Sequence, residues 1–232
     1  LVRQHIAPAI RQSPIVVTQG FIGSTSENFT TTLGREGSDY TAAVLSYCLD
    51  ADEMVVWKDV PGVLSADPKY YDDAIKLEQI SYLDAIELTY YGATVIHPKT
   101  IKPLENKQIP LRVASFVSPK DKGTLIGNYE VTKPLVPCFI FKSNQLLLSI
   151  SAKDFSFIAE DNLSRIFALF ASHRVKINLM QNSAISFSVC IDNDEMKVPG
   201  LIEALKNEFR VRYNERLRLR SEEHTSELQS LA

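Results

Sequence analysis

The sequence predicts an α/β protein in two parts: a mostly parallel sheet with flanking helices, followed by a ferredoxin-like βαββαβ domain. Three observations carry this prediction. Buried strand patterns alternate with helical patterns through the first half of the 232 residues. Turn and breaker residues interrupt the alternation between 117 and 137. The remaining segments then follow the order strand, helix, strand, strand, helix, strand.

The strands of the first part are short and apolar, and the helix between the first two is amphipathic. Segments with the length and β-branched content of buried strands are 15–20, 54–60 and 111–116. Trp57, in the second of these, is interpreted as a core residue. Helical spacing covers 38–50, where Ser38 or Asp39 can cap the N-terminus.

Two further helices are predicted before the break. Ser81 and Asp84 together resemble a capping box, and Gly92 is the expected C-cap of the helix that they begin. After a short extended stretch over 94–97, Pro98 can open another helix that runs to about residue 106. His97 has no cysteine or second histidine at ligand spacing, so it is interpreted as structural.

The break places the domain boundary near residue 130, with one domain over 1–130 and the second over 131–219. In the second domain Asp161 is the expected cap of one helix, and the other helix covers 199–209. The expected strands are 145–151, 176–180, 184–191 and 210–213.

Both ends of the chain predict that it is a piece of something longer. It begins LVRQHIAPAI, without an initiator methionine, which is typical of a fragment cut inside a domain. The residues RSEEHTSELQS, from Arg220, are similar to a translated sequencing adaptor, so 220–232 are expected to be a non-native tail.

The composition excludes several classes of partner. Hydrophobic residues make up 45% and charged residues 23%, and the net charge is -3. This balance favours neither nucleic acid nor an anionic membrane as a partner, and no apolar run of about 18 residues predicts a membrane helix. The three cysteines match neither a disulfide framework nor a zinc site, so we expect a reducing, cytoplasmic location.

Three segments carry candidate chemistry: TQGFIGS (18–24), TTLGREGSDYTA (31–42) and WKDVPGVLSADPK (57–69). In the second, a helix N-terminus suits an anion, and Arg35 can hold a carboxylate with two parallel hydrogen bonds. In the third, a strand ends in Lys58 and Asp59, where ligands bind in open α/β sheets. The alternatives are a tight turn for the first segment, helix caps for the second and a surface loop for the third.

Together these segments closely resemble the aspartokinases, and YYGATVIHP (90–98) and GTLIG (123–127) extend the similarity. The resemblance covers about residues 10 to 218. It implies the C-terminal half of an amino acid kinase domain and a first ACT domain, in which QNSAISFSV (181–189) is similar to an effector-binding strand pair. It also implies phosphorylation of the side-chain carboxylate of L-aspartate by ATP with Mg²⁺, control by a regulatory amino acid (lysine or threonine), and homo-oligomers formed through ACT domains.

The resemblance also implies roles for single residues. Arg35 matches the group that binds the substrate carboxylate, Ser38 contacts substrate or phosphate, and Asp39 orients a phosphate-binding lysine. The effector-contacting positions are Asn178 and Ser183. The implied nucleotide-binding residues are Lys58, Asp59, Leu64, Ser65, Asp67 and Lys69.

The sequence departs from the family at three points. Thr94 stands where many members have a nucleotide-contacting lysine, and Lys69 where an arginine is also common. The family's lysine-glycine-glycine phosphate motif does not occur, so we expect the chain alone to be inactive. Two other hypotheses stay open: a non-catalytic ACT regulatory subunit, or an amino acid kinase with another substrate.

Overall fold

The computed structural model describes residues 2–91, 95–154 and 156–223. Their contacts form two compact units. Unit 1 contains the residues up to Ile140 together with those from Glu222, and unit 2 is Phe141–Ser221. The division therefore falls at Ile140, later than the expected boundary at residue 130, because the intervening residues bond within unit 1. Lys133 O accepts a 3.1 Å hydrogen bond from Gln79 N, and Phe139 N donates to Ser65 O at 2.6 Å.

The described residues of unit 1 form four helices and a four-stranded sheet. Its elements are α1 (Val2–Gln12), β1 (Ile22–Ser24), β2 (Thr30–Thr32), α2 (Gly37–Leu49), β3 (Met54–Lys58), β4 (Gln79–Ser81), α3 (Tyr82–Tyr91), α4 (Pro98–Glu105), β5 (Leu111–Ser115) and β6 (Thr124–Gly127). The sheet has the order β3-β5-β6-β4, and β1 and β2 form a separate antiparallel pair. The strands β3 and β5 are parallel, as are β4 and β6, whereas β5 and β6 are antiparallel. The mostly parallel α/β sheet is thus confirmed.

Two predictions about apolar residues of unit 1 are wrong, and both concern how far these residues are exposed. Residues 15–20 form no strand, and Ile15 and Val17 are 75% and 88% exposed. A strand needs a neighbour for its backbone groups, and none of the described strands pairs with this segment. Trp57 is 53% exposed because β3 alternates, with Met54 and Val56 facing the core.

The helix ends agree with the sequence in part. Ser81 Oγ accepts a 2.9 Å hydrogen bond from Asp84 N, which confirms the cap of α3. Pro98 opens α4 as expected, and His97 has the structural role of its N-cap, with Nδ1 accepting from Lys99 N at 3.1 Å. The expected C-cap Gly92 and the start of the 94–97 stretch lie outside the described residues.

Two expected caps are wrong. The N-cap of α2 is Glu36, so Ser38 and Asp39 lie inside the first turn and do not cap it. In unit 2 the helix that Asp161 was expected to cap begins at Glu160 with Ala159 as N-cap. Acidic residues are favoured both at the N-cap and in the first turn, since both lie at the positive end of the helix dipole. Residue type alone therefore does not separate the two positions.

Unit 2 confirms the predicted βαββαβ order. Its elements are β7 (Cys138–Ala152, which starts in unit 1), α5 (Glu160–Ser172), β8 (Ile177–Asn182), β9 (Phe187–Asp192), α6 (Val198–Glu208) and β10 (Phe209–Glu223). The sheet has the order β10-β7-β9-β8. Alternate residues of β7 (Leu146, Leu148 and Ile150) are fully buried in the core that includes α5 and α6 residues. The expected tail from residue 220 begins inside β10, and residues 224–232 lie outside the described part. None of the described helices is long and apolar enough to cross a membrane.

Tyr82 fixes the start of α3 against the end of the α4–β5 connection. It is 5% exposed, and its hydroxyl donates a 2.7 Å hydrogen bond to Ile109 O. Burial raises the pKa of Tyr82 to about 12, and the nearby Tyr129 and Glu105 add to that rise.

We expect Tyr82→Phe to lower the free energy of unfolding by about 1–2 kcal/mol at pH 8, because Ile109 O loses its partner. A raised tyrosine pKa favours the neutral folded form. The parent's stabilisation is therefore present below the unfolded pKa of about 10 and is lost as the pH rises toward 12. Urea denaturation should show the parent's advantage shrinking by about 1 kcal/mol at pH 11. Tyr213→Phe, at a residue 43% exposed, is the control; an equal loss there would contradict the role of the buried bond.

Candidate functional site

The first two candidate segments meet at the N-terminus of α2. Gly20 lies so close to the first turn that a Cβ on it would be 3.2 Å from the Cα of Ser38. Phe21 N donates a 3.1 Å hydrogen bond to Thr41 Oγ1, which donates to Gly37 O at 2.9 Å. The glycine therefore lets the 18–24 segment pack directly on the helix, at the end where unpaired N–H groups favour an anion.

The third segment joins them through an ion pair. Lys58, the last residue of β3, places Nζ 2.7 Å from Asp39 Oδ2 in the first turn of α2. The side chains are 25% and 16% exposed. Asp39 thus has a cationic partner inside this chain, whereas the resemblance implied a lysine from a motif that the sequence lacks. Arg35 and Ser38 are exposed beside Asp39 in the sequence.

The chain after Lys58 is anchored to β6 by a buried hydroxyl. Thr124 Oγ1 accepts a 2.9 Å hydrogen bond from Val63 N and donates one to Leu77 O at 2.5 Å. One side chain therefore anchors both ends of the 63–77 segment. Gly62, at φ 145°, lies where a Cβ would be 2.5 Å from that same hydroxyl. A larger residue at 62 would therefore displace the anchor.

The expected nucleotide-binding residues divide into anchored and exposed groups. Leu64 forms a bridge with Lys76, and the buried Ser65 accepts a 2.9 Å hydrogen bond from Ile75 N on its hydroxyl. Asp67 Oδ1 accepts from Lys69 N at 2.9 Å and so closes a local turn. Asp59, Asp67 and Lys69 are exposed. Thr94 lies outside the described residues.

Glu36 is a feature of this site that the sequence interpretation missed. Its backbone is left-handed, at φ 55° and ψ 30°, a region that suits glycine. Its Oε2 is buried and has no hydrogen-bond partner among the described residues. A charged residue before a helix is expected to be solvated, so nothing in the sequence indicated either property.

The implied effector residue Asn178 is enclosed in a polar network of unit 2. It is 7% exposed, and its Oδ1 accepts a 2.7 Å hydrogen bond from Lys142 Nζ. Its Nδ2 donates to Gln145 Oε1 at 2.8 Å and to Asp192 Oδ1 at 3.0 Å. Burial alone would raise the pKa of Asp192, but hydrogen bonds from Gln145 and Asn178 and the Lys142 ammonium together lower it. A ligand at Asn178 would have to displace one of these partners.

The second implied effector residue, Ser183, lies in the turn after β8. Its hydroxyl is 2.8 Å from Ser186 Oγ and also accepts from Ser186 N at 3.2 Å. At about 3.3 Å of rise per residue, five residues along a strand separate Asn178 and Ser183 by roughly 16 Å. The structure therefore does not bring these two side chains together.

The sequence interpretation missed the partners of Asn178 and the hydroxyl of Thr124 that anchors the segment after Lys58. Gln145 and Asp192 alternate with core residues on β7 and β9, which places these two side chains on one face of the sheet. Lys142 does not follow that alternation, because the left-handed Asn144 (φ 53°) lies between it and Gln145. The alternation of polar and apolar residues is visible in the sequence, but the hydrogen bonds among the polar side chains are not. Thr124 was visible only as part of the GTLIG motif.

The family model described as "Amino acid kinase family" matches residues 1–115. Lysine-sensitive aspartokinase 3 of Escherichia coli is 36% identical over 178 residues, which are 77% of this chain and 39% of that protein. Chloroplastic aspartokinase 1 of Arabidopsis thaliana is 32% identical over 192 residues, which are 82% of this chain and 33% of that protein.

Solved structures that are similar to this chain are also aspartokinases. Escherichia coli aspartokinase III in complex with lysine and aspartate (T-state) has a TM-score of 0.78 and 32% identity, over 94% of this chain and 50% of that one. The same enzyme with aspartate and ADP (R-state) also has a TM-score of 0.78 and 32% identity, over 95% and 50%. The Clostridium acetobutylicum aspartate kinase has a TM-score of 0.76 and 28% identity, over 89% and 49%.

The α/β unit with its strand-end lysine and helix N-terminus, together with the family match, places the chain among the amino acid kinases. Within that family it belongs with the aspartokinases. The chain spans half or less of the length of these relatives, from 33% to 50%.

We expect Glu36→Gly to raise the free energy of unfolding by about 1 kcal/mol, since it relieves the left-handed backbone and removes a buried unpaired oxygen. Urea denaturation of the 232-residue chain measures this. Arg174→Gly is the matched control. Arg174 also has a left-handed φ of 54°, so this substitution relieves backbone strain without removing a buried unpaired oxygen. A Glu36→Gly variant less stable than the parent would mean that the carboxylate makes a stabilising contact.

Proposed function

We propose that this chain contributes the α2 end of an aspartokinase active site, where the γ-phosphate of ATP passes to the side-chain carboxylate of L-aspartate. The observation that carries the proposal is the Lys58–Asp39 pair at the N-terminus of α2. Asp39 directly follows the exposed Ser38 and lies four residues after the exposed Arg35. An ammonium, a guanidinium and helix N–H groups are the donors that phosphate and carboxylate oxygens need. A non-catalytic amino-acid sensor has no use for that set.

Each residue has a chemical role in this proposal. Arg35 binds a carboxylate of aspartate through paired hydrogen bonds, and Ser38 with the first-turn N–H groups faces the transferring phosphate. Lys58 neutralises phosphate charge, which matters because phosphoryl transfer depends on positioning and charge stabilisation. The loop over 64–69 covers the nucleotide, with Lys69 as its exposed cation and with Ser65 and Asp67 shaping it through the hydrogen bonds described above.

Magnesium fits this site as a companion of the nucleotide. The described residues contain no group of three or more metal-ligating side chains, so they supply no cage. Mg²⁺ needs none, because it keeps several waters and is held by phosphates with one or two carboxylates. Asp59, exposed directly after Lys58, is the carboxylate that would hold it or its waters. When bound, the ion would neutralise phosphate charge.

We also propose a cytoplasmic location. Among the described residues Cys48 and Cys190 are free thiols, and Cys190 is buried. Free thiols are typical of a reducing compartment. The alternative is import into a plastid, as in the chloroplastic relatives. Cell fractionation distinguishes the two locations.

In the whole enzyme, Arg35→Ala should lower kcat/KM for aspartate on the order of 30-fold to several thousand-fold, or about 2–5 kcal/mol, with the KM for ATP little changed. Coupled measurement of ADP release tests this. Arg3→Ala is the control, because Arg3 is 68% exposed in its surface pair with Asp50 and should contribute little. Unchanged aspartate kinetics in Arg35→Ala would remove Arg35 from the site.

For unit 2 we propose regulation by lysine or threonine and pairing with a second ACT domain of another chain. The sheet face opposite the helices carries Leu147 and Leu179, 38% and 48% exposed, on either side of Cys190. An apolar row on a solvent-facing sheet favours cover by another domain. The turn at Ser183 remains the proposed effector contact, and Asn178 takes part only if Lys142 moves.

An effector that binds the folded chain should raise its melting temperature, since a ligand at 100 times its Kd adds about 2.7 kcal/mol. We expect this for L-lysine or L-threonine and expect Ser183→Phe to abolish it. Ser172→Phe, at an exposed position of α5, should keep it. A parent and a Ser183→Phe variant with equal shifts would exclude the turn as the effector site, and Asn178→Ala then tests the network separately.

A further inference from the structure

We infer that unit 2 contains a binding site for a primary ammonium group and that Lys142 fills this site with its own side chain. The inference rests on the proposed regulation of unit 2 and deepens it. A chain that occupies its own ammonium site favours a regulatory amino acid without a side-chain ammonium, which is threonine rather than lysine.

The site begins with Gln145, whose side-chain amide has one workable orientation. Gln145 is fully buried, and its Nε2 donates to Asp192 Oδ1 at 2.7 Å and to Ser143 O at 3.2 Å. Both partners are acceptors, so an amide turned the other way would place oxygen against oxygen. The Oε1 atom of Gln145 is therefore left to face Asn178.

Asn178 is oriented in turn by Gln145. Its Nδ2 donates to Gln145 Oε1 at 2.8 Å and to Asp192 Oδ1 at 3.0 Å, and neither of these oxygens can donate in return. The Oδ1 atom of Asn178 is thus fixed as an acceptor in a residue that is 7% exposed. A buried acceptor without a partner is unfavourable, so this position requires a hydrogen-bond donor.

The donor in this structure is the ammonium of Lys142. Its Nζ is 2.7 Å from Asn178 Oδ1 and 3.6 Å from Asp192 Oδ1, so an amide oxygen and a carboxylate share one cation. The Lys142 side chain is 23% exposed. Two fixed acceptors, one of them charged, hold an ammonium more strongly than they hold a neutral donor.

An irregularity in β7 brings Lys142 to this place. Lys142 and Gln145 are three residues apart, so a regular strand would place them on opposite faces of the sheet. The left-handed Asn144, at φ 53°, interrupts that alternation. Its carbonyl accepts from Asn193 N at 3.0 Å, and its Nδ2 donates to Asn193 O at 3.2 Å. The position of Lys142 beside Asn178 therefore depends on a defined feature of the backbone.

A site that the chain itself fills discriminates between ligands. A tethered group competes with a free one at an effective concentration on the order of a millimolar or more. L-lysine carries the same ammonium on its side chain and must displace Lys142 to reach Asn178. L-threonine has no such group, and the Ser183 turn lies roughly 16 Å along the strand from Asn178, so it does not compete for these acceptors.

The test is binding of L-lysine and L-norleucine to the 232-residue chain, measured by isothermal titration calorimetry. L-norleucine has the carbon chain of L-lysine without the ammonium, so the ratio of the two affinities measures recognition of the ammonium alone. We expect no preference for L-lysine in the parent, because Lys142 holds the site. In Lys142→Met, which keeps an apolar stem and removes the charge, L-lysine should bind at least about tenfold tighter than L-norleucine.

Three further variants control this result. Lys153→Met should behave as the parent, because Lys153 Nζ donates at 2.7 Å to a backbone carbonyl of the same unit, Asn207 O. Adding Asn178→Ala to Lys142→Met should remove the preference, since the ammonium of the ligand then loses its fixed acceptor. Lys142→Ala takes the place of Lys142→Met if the latter does not fold by circular dichroism.

Two results would overturn the inference. A parent that prefers L-lysine as strongly as Lys142→Met does would show that Lys142 does not fill the site. A Lys142→Met chain without any preference would show that these acceptors form no ammonium site and that the contact only ties β7 to β8. The proposed regulation is decided separately. A thermal shift by L-threonine that Ser183→Phe abolishes leaves it standing, whereas no shift by L-threonine or L-lysine removes it.

Discussion

The ion pair between Lys58 and Asp39 connects the end of β3 with the first turn of α2, and the candidate site of unit 1 is centred on it. The parallel register of β3 with β5 sets where Lys58 ends, and the packing of Gly20 on Ser38 sets where the helix begins. Neither segment carries the chemistry alone, because the strand supplies a cation without direction and the helix supplies N–H groups beside an acid. Their contact converts three separated sequence motifs into one anion-facing surface.

The sequence allowed the fold of both units to be predicted wherever periodicity was strong. The βαββαβ order and the cap at Ser81 followed from local patterns that tertiary contacts did not alter. The predicted strand over 15–20 is wrong because an apolar segment indicates burial but does not show which neighbouring strand it would pair with. The core assignment of Trp57 is wrong for a related reason. Residue type predicts burial only once it is known which face of the strand the side chain is on and whether the strand lies at an edge.

The candidate site divides in the same way. Arg35, Ser38, Asp39 and Lys58 were recognisable from their motifs, but the partner of Asp39 was not, because an ion pair between residues 19 positions apart depends on the tertiary fold. The network around Asn178 shows the converse. A polar residue that the family resemblance assigned to an effector is occupied by Lys142, Gln145 and Asp192 of the same unit. Buried polar groups require such partners, but sequence alone does not say which ones.

The half-exposed Trp57 gives this chain an intrinsic optical probe. It is the single tryptophan among the 232 residues, is 53% exposed, and directly precedes Lys58 on an alternating strand. Indole emission shifts with the polarity around the ring, so a change of solvent or charge near the end of β3 alters the spectrum without any attached dye. The fluorescence of the protein is therefore a local signal of the β3 edge, against which far-ultraviolet circular dichroism reports the whole chain.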